Sequence, residues 1–430
     1  MNNTGLALGN AFLASSSHSV DYFLEKRINV TNIPNWLFGV LVVLAYAPSA
    51  MTQQVPGDGS LDDKRANENI ESLDSLMLQY IDGKQVAGVV LLVADKQGVL
   101  ITRSYGLADV SQSLPMVNDS IFWIASMTKP ITGACVMMLQ EEGKLSLDDP
   151  ITKYLPEMGQ LKLDDGTPAV ITIRQLLSHT SGMAELPAAE AYTSRSLAEA
   201  AERYSKVKVL FAPGSQWKYS QTSINTAARI VEVVSGQAFD AFVHSRICEP
   251  LGMVDTTFYL SEEQLPRLAT SYSRTEAGEL EQIAIMVLAG HSPTDTDRMP
   301  AANGGLFSTA SDYSKFCRML LREGELDGRR VLSADSVKTM RTIVTGDLTT
   351  GFTPGNGWGV GCCVVREPQG ASEVLSPGSY GHGGAYGTQA WIDPLKDRVY
   401  VMMTQRSNFT NSDASELRRD FQRVASTMTR

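Results

Sequence analysis

Cysteine and histidine are scarce in this chain, and positive charge is in deficit. Cys135, Cys248, Cys317, Cys362 and Cys363 are too few and too scattered along 430 residues for a disulfide scaffold. No C-x-x-C pair is present, which removes the commonest structural zinc pattern. The five histidines (His18, His179, His244, His291 and His382) stand at no metal-ligand spacing. Lysine and arginine number 37 against 47 aspartates and glutamates, for a formal charge of -10. Nucleic acids and anionic membranes select for basic patches, so neither is expected as a main partner. What remains is ordinary: 43% apolar and 20% charged residues describe a chain that folds around a core.

Several catalytic signatures are missing too. There is no G-x-S-x-G, which disfavours an α/β-hydrolase elbow. The absence of H-E-x-x-H, G-x-G-x-x-G and G-x-x-x-x-G-K-[ST] removes the simple metalloprotease, dinucleotide and P-loop assignments.

The N-terminus differs from the rest. Lys26 and Arg27 precede an uncharged stretch whose centre, residues 36–47, is a short apolar run ending in Ala45-Tyr46-Ala47. A positive segment, an apolar segment and a small-x-small ending describe a secretory signal. The run falls short of the ~20 apolar residues that span a bilayer, so no stable membrane anchor is expected. Residues 1–50 are therefore expected to be a leader and the protein to be exported, with a periplasmic location. The alternative is a cytoplasmic protein with a chance apolar patch. Residues 51–66, rich in Gly, Asp and Ser, read as a linker to a domain over 67–430.

Within that domain, Ile70, Leu73, Met77, Tyr80 and Ile81 recur at helical spacing and predict a helix over 67–82. Residues 88–94 and 99–105 are β-rich runs separated by Lys96-Gln97-Gly98, which predicts a hairpin. Helical signals dominate from Ile131 to about Val337. Strand-like runs return at 359–366, 386–392 and 398–404, and a polar helical pattern over 411–427 closes the chain. The expected fold is α/β plus α: an antiparallel sheet flanked by helices, with an inserted, mostly helical lobe. The sheet lobe takes about 67–120 and 350–430, and the helical lobe about 121–349.

Ser-x-x-Lys occurs three times, at Ser126/Lys129, Ser205/Lys208 and Ser215/Lys218. So short a motif arises about once by chance in a chain of this size, and context decides among the three. Ser205 lies in a polar segment that Pro213-Gly214 interrupts. Ser215 follows that pair with no room for a helix. Ser126 instead ends an apolar approach, Ile121-Phe-Trp-Ile-Ala, and opens a run that is apolar almost all round, as a buried helix is. Residues i and i+3 share a helix face, so Lys129 reaches the Ser126 hydroxyl. Desolvation and the helix dipole both favour a neutral, basic lysine there.

The segment from Ile121 to Pro130 resembles the nucleophile segment of the serine β-lactamase and penicillin-binding-protein family. The closest likeness is to the branch of class C β-lactamases, DD-carboxypeptidases and family VIII carboxylesterases. Other segments follow in that family's order: Gln175-Leu-Leu-Ser-His-Thr-Ser-Gly182, Pro213-Gly-Ser-Gln-Trp-Lys-Tyr-Ser-Gln221, Gly304-Gly-Leu-Phe-Ser-Thr-Ala-Ser-Asp312 and Tyr380-Gly-His-Gly-Gly-Ala385. The resemblance covers roughly residues 67–405 and implies the same β-lactamase/transpeptidase-like fold.

It also implies roles. Ser126 would be acylated, Lys129 would activate it, and Tyr219 would be the second base and proton shuttle, its pKa lowered by nearby positive charge. The third motif, Lys-Thr-Gly in β-lactamases, is His382-Gly383-Gly384 here and is expected on an edge strand lining the cleft. The Ala385 and Ser126 N–H groups would form the oxyanion hole. Gln221 stands where β-lactamases carry Asn. Lys and Thr of the third motif grip a substrate carboxylate in β-lactamases, whereas a neutral imidazole beside glycine holds an anion less well.

The implied function is a serine hydrolase cleaving a small-molecule ester or amide, or a peptide, without metal or organic cofactor. Carboxylesterase or DD-peptidase-like activity is favoured. The alternatives are a class C-like β-lactamase and, from another class, a non-catalytic or slowly deacylating ligand sensor or assembly protein.

Overall fold

The computed structural model describes residues 61–187, 190–351 and 353–428. The expected leader lies outside them. The first helix, α1, runs Leu61–Asp82. It begins before residue 67 because residues 61–66, read above as linker, contain no Gly or Pro to break a helix.

Eight strands form one antiparallel sheet. They are β1 (Gly88–Ala94), β2 (Val99–Asp109), β3 (Leu114–Pro115), β4 (Asn356–Trp358), β5 (Cys363–Val365), β6 (Tyr380–Gly383), β7 (Gln389–Asp393) and β8 (Arg398–Thr404). Their spatial order is β4-β5-β6-β7-β8-β1-β2-β3, so the C-terminal strands join the N-terminal hairpin through the β8–β1 pair. Every residue of β1 is buried, because helices cover both faces of the sheet. Its side chains alternate accordingly. Val90 and Leu92 enter the core shared with the helical lobe, whereas Val89, Leu91 and Val93 meet Leu73 and Met77 of α1 and Leu417 and Phe421 of the C-terminal helix. Cys362 and Cys363 divide between the same two cores, and all five cysteines are buried and unpaired.

Between β3 and β4 the chain builds the helical lobe. Three of its helices matter here: α2 (Thr128–Glu141), α3 (Gln221–Ser235) and α4 (Ala310–Leu321). The last helix of the chain, α5, spans Glu416–Ala425. The expected strand at 359–366 is shorter because residues 359–362 turn between β4 and β5. That turn touches α2 backbone to backbone: a Cβ on Gly133 would lie 2.7 Å from Val360 O. Glycine at 133 thus lets α2 seat directly on the sheet. Among the described residues no helix is long and apolar enough to cross a membrane.

Candidate active site

Ser126 sits where a strand turns sharply into a helix. Phe122–Trp123 pairs with Phe307–Ser308, and the Trp123 indole N–H donates to Gly304 O at 2.6 Å. Ala125 then adopts φ +46°, a left-handed conformation unusual for a residue with a side chain. A single 3₁₀ turn, Ala125–Met127, carries Ser126 into α2, and Tyr313 of α4 holds that turn by donating to Met127 O at 2.7 Å.

Lys129 is fully buried, and its amine has three neighbours. Nζ lies 2.9 Å from Ser126 Oγ, 2.9 Å from Gln221 Oε1 and 2.6 Å from Asn303 O. The last two are pure acceptors. They take both N–H bonds of a neutral amine and leave its lone pair facing the Ser126 hydroxyl. Burial pushes the Lys129 pKa well below the ordinary lysine value, against the opposing pull of the more distant Glu185 and Asp413 carboxyls. The arrangement sets an amine able to accept a proton next to a hydroxyl, the pairing that nucleophilic catalysis requires.

Gln221 is pinned from both sides. Asn303 Nδ2 donates to the same Oε1 at 2.9 Å, and two donors converging on one atom identify it as the amide oxygen. Glu185 accepts the N–H groups of Gln221 at 2.7 Å and Thr222 at 3.2 Å, a carboxylate on the positive end of α3. Asn303 N–H in turn donates to Asn225 Oδ1 at 3.0 Å. Asn303 and Glu185 escaped the sequence analysis. Asn303 adjoins the Gly304-Gly305 turn, the one hint available, and Glu185 lies in a loop with no motif.

Tyr219 immediately precedes Ser220, the N-cap of α3. The Ser220 N–H donates to Nδ1 of buried His179 at 3.1 Å, and the His179 ring lies 4.4 Å from that of Tyr219. The phenol hydrogen-bonds with Ser126, and Lys129 Nζ is 4.6 Å from its ring centre. The expected lowering of the Tyr219 pKa is not found. Burial pushes it well above 10, and the Ser126 hydrogen bond opposes this only in part. The physical reason is that burial strips a phenolate of its water, and the acidic groups nearby, Asp413 first, push in the same direction.

The third motif also needs correction. The strand carrying it, β6, is an interior strand between β5 and β7, not an edge. However, β5 pairs only with Tyr380 and Gly381, whereas His382 and Gly383 pair with β7 alone. One side of the motif is therefore free over its functional half. The Gly384 backbone packs on the nucleophile turn, since a Cβ there would lie 2.7 Å from Ile124 O. This brings Ala385 and Ser126 to one cavity of about 480 Å³, which His382, Gly383, Gln221 and Tyr219 also line. His382 Nδ1 is 2.6 Å from Gly383 O, a pure acceptor, so Nδ1 carries the proton and Nε2 presents a lone pair to Tyr219 Oη at 3.4 Å. Burial, reinforced by Lys129, pushes its pKa down to about 3, so the ring is neutral.

The other two Ser-x-x-Lys serines turn their hydroxyls to their own backbone. Ser205 Oγ donates to Glu202 O at 2.8 Å and Ser215 Oγ to Ala212 O at 2.7 Å. A larger cavity of about 640 Å³, between α1 and residues 409–417, contains none of the groups that meet at Ser126. Among the described residues no group of three or more His, Cys, Asp or Glu is arranged to hold a metal ion.

Comparison with known proteins places this geometry. The Beta-lactamase family model matches residues 73–425. Protein Rv1367c of Mycobacterium tuberculosis is 33% identical over 376 residues, covering 81% of this chain and 92% of that protein. Esterase EstB of Burkholderia gladioli is 29% identical over 360 residues, covering 77% of this chain and 89% of its own. Among solved structures, EstCE1, described as a hydrolase with promiscuous acyltransferase activity, superposes with a TM-score of 0.74 at 26% identity. That match covers 86% of this chain and all (100%) of EstCE1. With a large antiparallel sheet flanked by helices and relatives that include esterases and D-alanyl-D-alanine carboxypeptidases, the chain belongs to the β-lactamase family of serine hydrolases.

Proposed function

We propose that this chain is an exported carboxylesterase working through an acyl-Ser126 intermediate. The observation that carries the proposal is the surroundings of the Lys129 amine, whose lone pair has only the Ser126 hydroxyl to face. Lys129 takes the Ser126 proton as Oγ attacks the ester carbonyl carbon. The resulting oxyanion is held by the Ser126 and Ala385 N–H groups. When the intermediate collapses, the C–O bond to the alcohol breaks. Tyr219, a neutral phenol, passes its proton to the departing oxygen and is re-protonated from the Lys129 ammonium. Water then attacks the acyl-enzyme with the same groups in reverse.

An ester is preferred over a β-lactam or a peptide ending in a carboxylate because the third motif offers no cation and no hydroxyl. His382 is neutral and residue 383 is glycine. The resemblance of residues 26–48 to a secretory signal supports export, and N-terminal sequencing of the mature protein tests it.

Turnover of p-nitrophenyl butyrate and nitrocefin, with intact-protein mass spectrometry on wild type and Ser126→Ala, tests the activity. The expected result is butyrate turnover that Ser126→Ala abolishes, with nitrocefin far slower. Comparable nitrocefin turnover would make the protein a β-lactamase. A stable acyl adduct without turnover would make it a sensor.

A further inference from the structure

The space that a side chain at residue 383 would occupy is already filled. A Cβ built on Gly383 would lie 1.8 Å from Asp413 Oδ1 and 2.4 Å from Gln389 Nε2, distances no pair of atoms tolerates. Asp413 belongs to the 3₁₀ turn Ser412–Ala414, just before α5. Asn411 Oδ1 accepts the Asp413 N–H at 3.0 Å, Arg418 donates to the Asp413 carbonyl, and Gln389 Nε2 donates to Oδ1 at 3.4 Å. The turn thus holds a carboxyl group in the wall of the Ser126 cavity.

Two basic side chains, Arg418 and Lys129, lie near it, and neither forms an ion pair with it among the described residues. Arg418 sits over Trp391, its Cζ 3.9 Å from the ring centre, and gives hydrogen bonds to Ser372 and Gln422. Lys129 is engaged at Ser126. No lysine or arginine is among the described residues lining the cavity. An anionic substituent entering here would lose its water, meet a carboxyl group and find no counter-charge. A cationic one would gain a partner. Burial raises the Asp413 pKa, and an arriving cation would favour the ionised form.

We propose that Asp413 forms an acidic subsite beside the nucleophile, selecting esters with a cationic substituent and refusing those with a carboxylate. This rests on the esterase assignment above and names its substrate class.

The test uses two probe series, each with neutral, trimethylammonium and carboxylate members. One varies the acyl group of p-nitrophenyl pentanoate at its far end. The other varies the leaving group of a thiobutyrate, butyrylthiocholine being its cationic member. In at least one series wild type should prefer the cationic over the carboxylate probe at least tenfold in kcat/KM. Asp413→Asn should cut that ratio at least fivefold, and Asp413→Ser serves if the first variant does not fold. Equal rates across both series in wild type, or an equal fall for all probes in the variants, would overturn the subsite while leaving the esterase standing. Hydrolysis of no probe, with no adduct at Ser126, would overturn the esterase assignment and the subsite with it.

Discussion

On the helical wall of the Ser126 cavity, each hydrogen-bonding direction of Lys129 has a named partner, and those partners are pinned in turn by Asn303, Asn225 and Glu185. On the sheet wall, residues 383 and 384 are glycines, the one histidine is neutral, and a carboxyl from a distant turn fills the gap. The first wall is built for proton transfer, which needs heavy atoms held at hydrogen-bonding distance. The second is built by removal of side chains, and in the proposal above it governs what enters. The two proposals thus place chemistry and selection on different elements, and each is open to separate attack.

The largest effect expected is on the helical wall. Lys129→Arg keeps a long basic side chain but supplies a group that does not deprotonate in proteins. It should lower kcat/KM for p-nitrophenyl butyrate by about 10³-fold or more, as Ser126→Ala should. A variant retaining a tenth of wild-type activity would mean that Lys129 only positions Ser126.

The pH dependence sharpens the same point. The folded-state pKa of Lys129 is depressed below 10.5, so the unfolded chain binds more protons between the two values. The contribution of Lys129 to stability is thus full above 10.5 and is lost as pH falls through the folded value. Thermal melts of wild type and Lys129→Met should show the Tm difference moving in favour of wild type between pH 7 and 10. A flat difference would mean that the folded lysine is charged. His382 is also depressed, to about 3, and its contribution is lost between its ordinary value of 6.5 and that pH. His382→Gln should therefore flatten the stability profile between pH 6 and 4.

On the sheet wall, Gly383→Thr should cost about 1–3 kcal/mol of stability by overpacking against Asp413 and Gln389. Asp413→Gly in the same chain should restore part of it, and a double-mutant cycle in chemical denaturation measures the coupling. Additive effects would mean that the two residues do not share the space.

The smallest effect belongs to the outer support. Glu185→Gln keeps one acceptor for the Gln221 and Thr222 N–H groups and should reduce kcat only about three- to tenfold, with about 0.5–2 kcal/mol lost at the helix end. A loss as large as that of Lys129→Arg would move Glu185 into the proton-transfer machinery.

How much of this was legible in the sequence follows from the range of the interactions. Ser126 and Lys129 are three residues apart on one helix, and the apolar run around them announces burial. Tyr219 stands in a short Pro-Gly-x-x-Trp-x-Tyr setting, so it too has a local signal. The β1–β2 hairpin and the 398–404 strand were equally plain, because alternation and turn residues are properties of neighbours in the chain. The protonation of Tyr219 was not legible, since it depends on how deeply the phenol is buried and on carboxyls brought near it from distant parts of the chain. Nor was the place of β6, whose two sides are set by pairing with β5 and β7 over different lengths.

By itself, then, the sequence determined the family and the sheet-plus-helical-lobe plan, and it singled out Ser126 and Lys129 as the proposed nucleophile and base, all of which rest on short-range pattern. The tertiary structure alone decided which carbonyls hold Lys129, that His382 and Tyr219 are both uncharged, and that Asp413 occupies the place of a side chain at Gly383. Those depend on atoms brought together from distant parts of the chain, which no spacing along the sequence encodes.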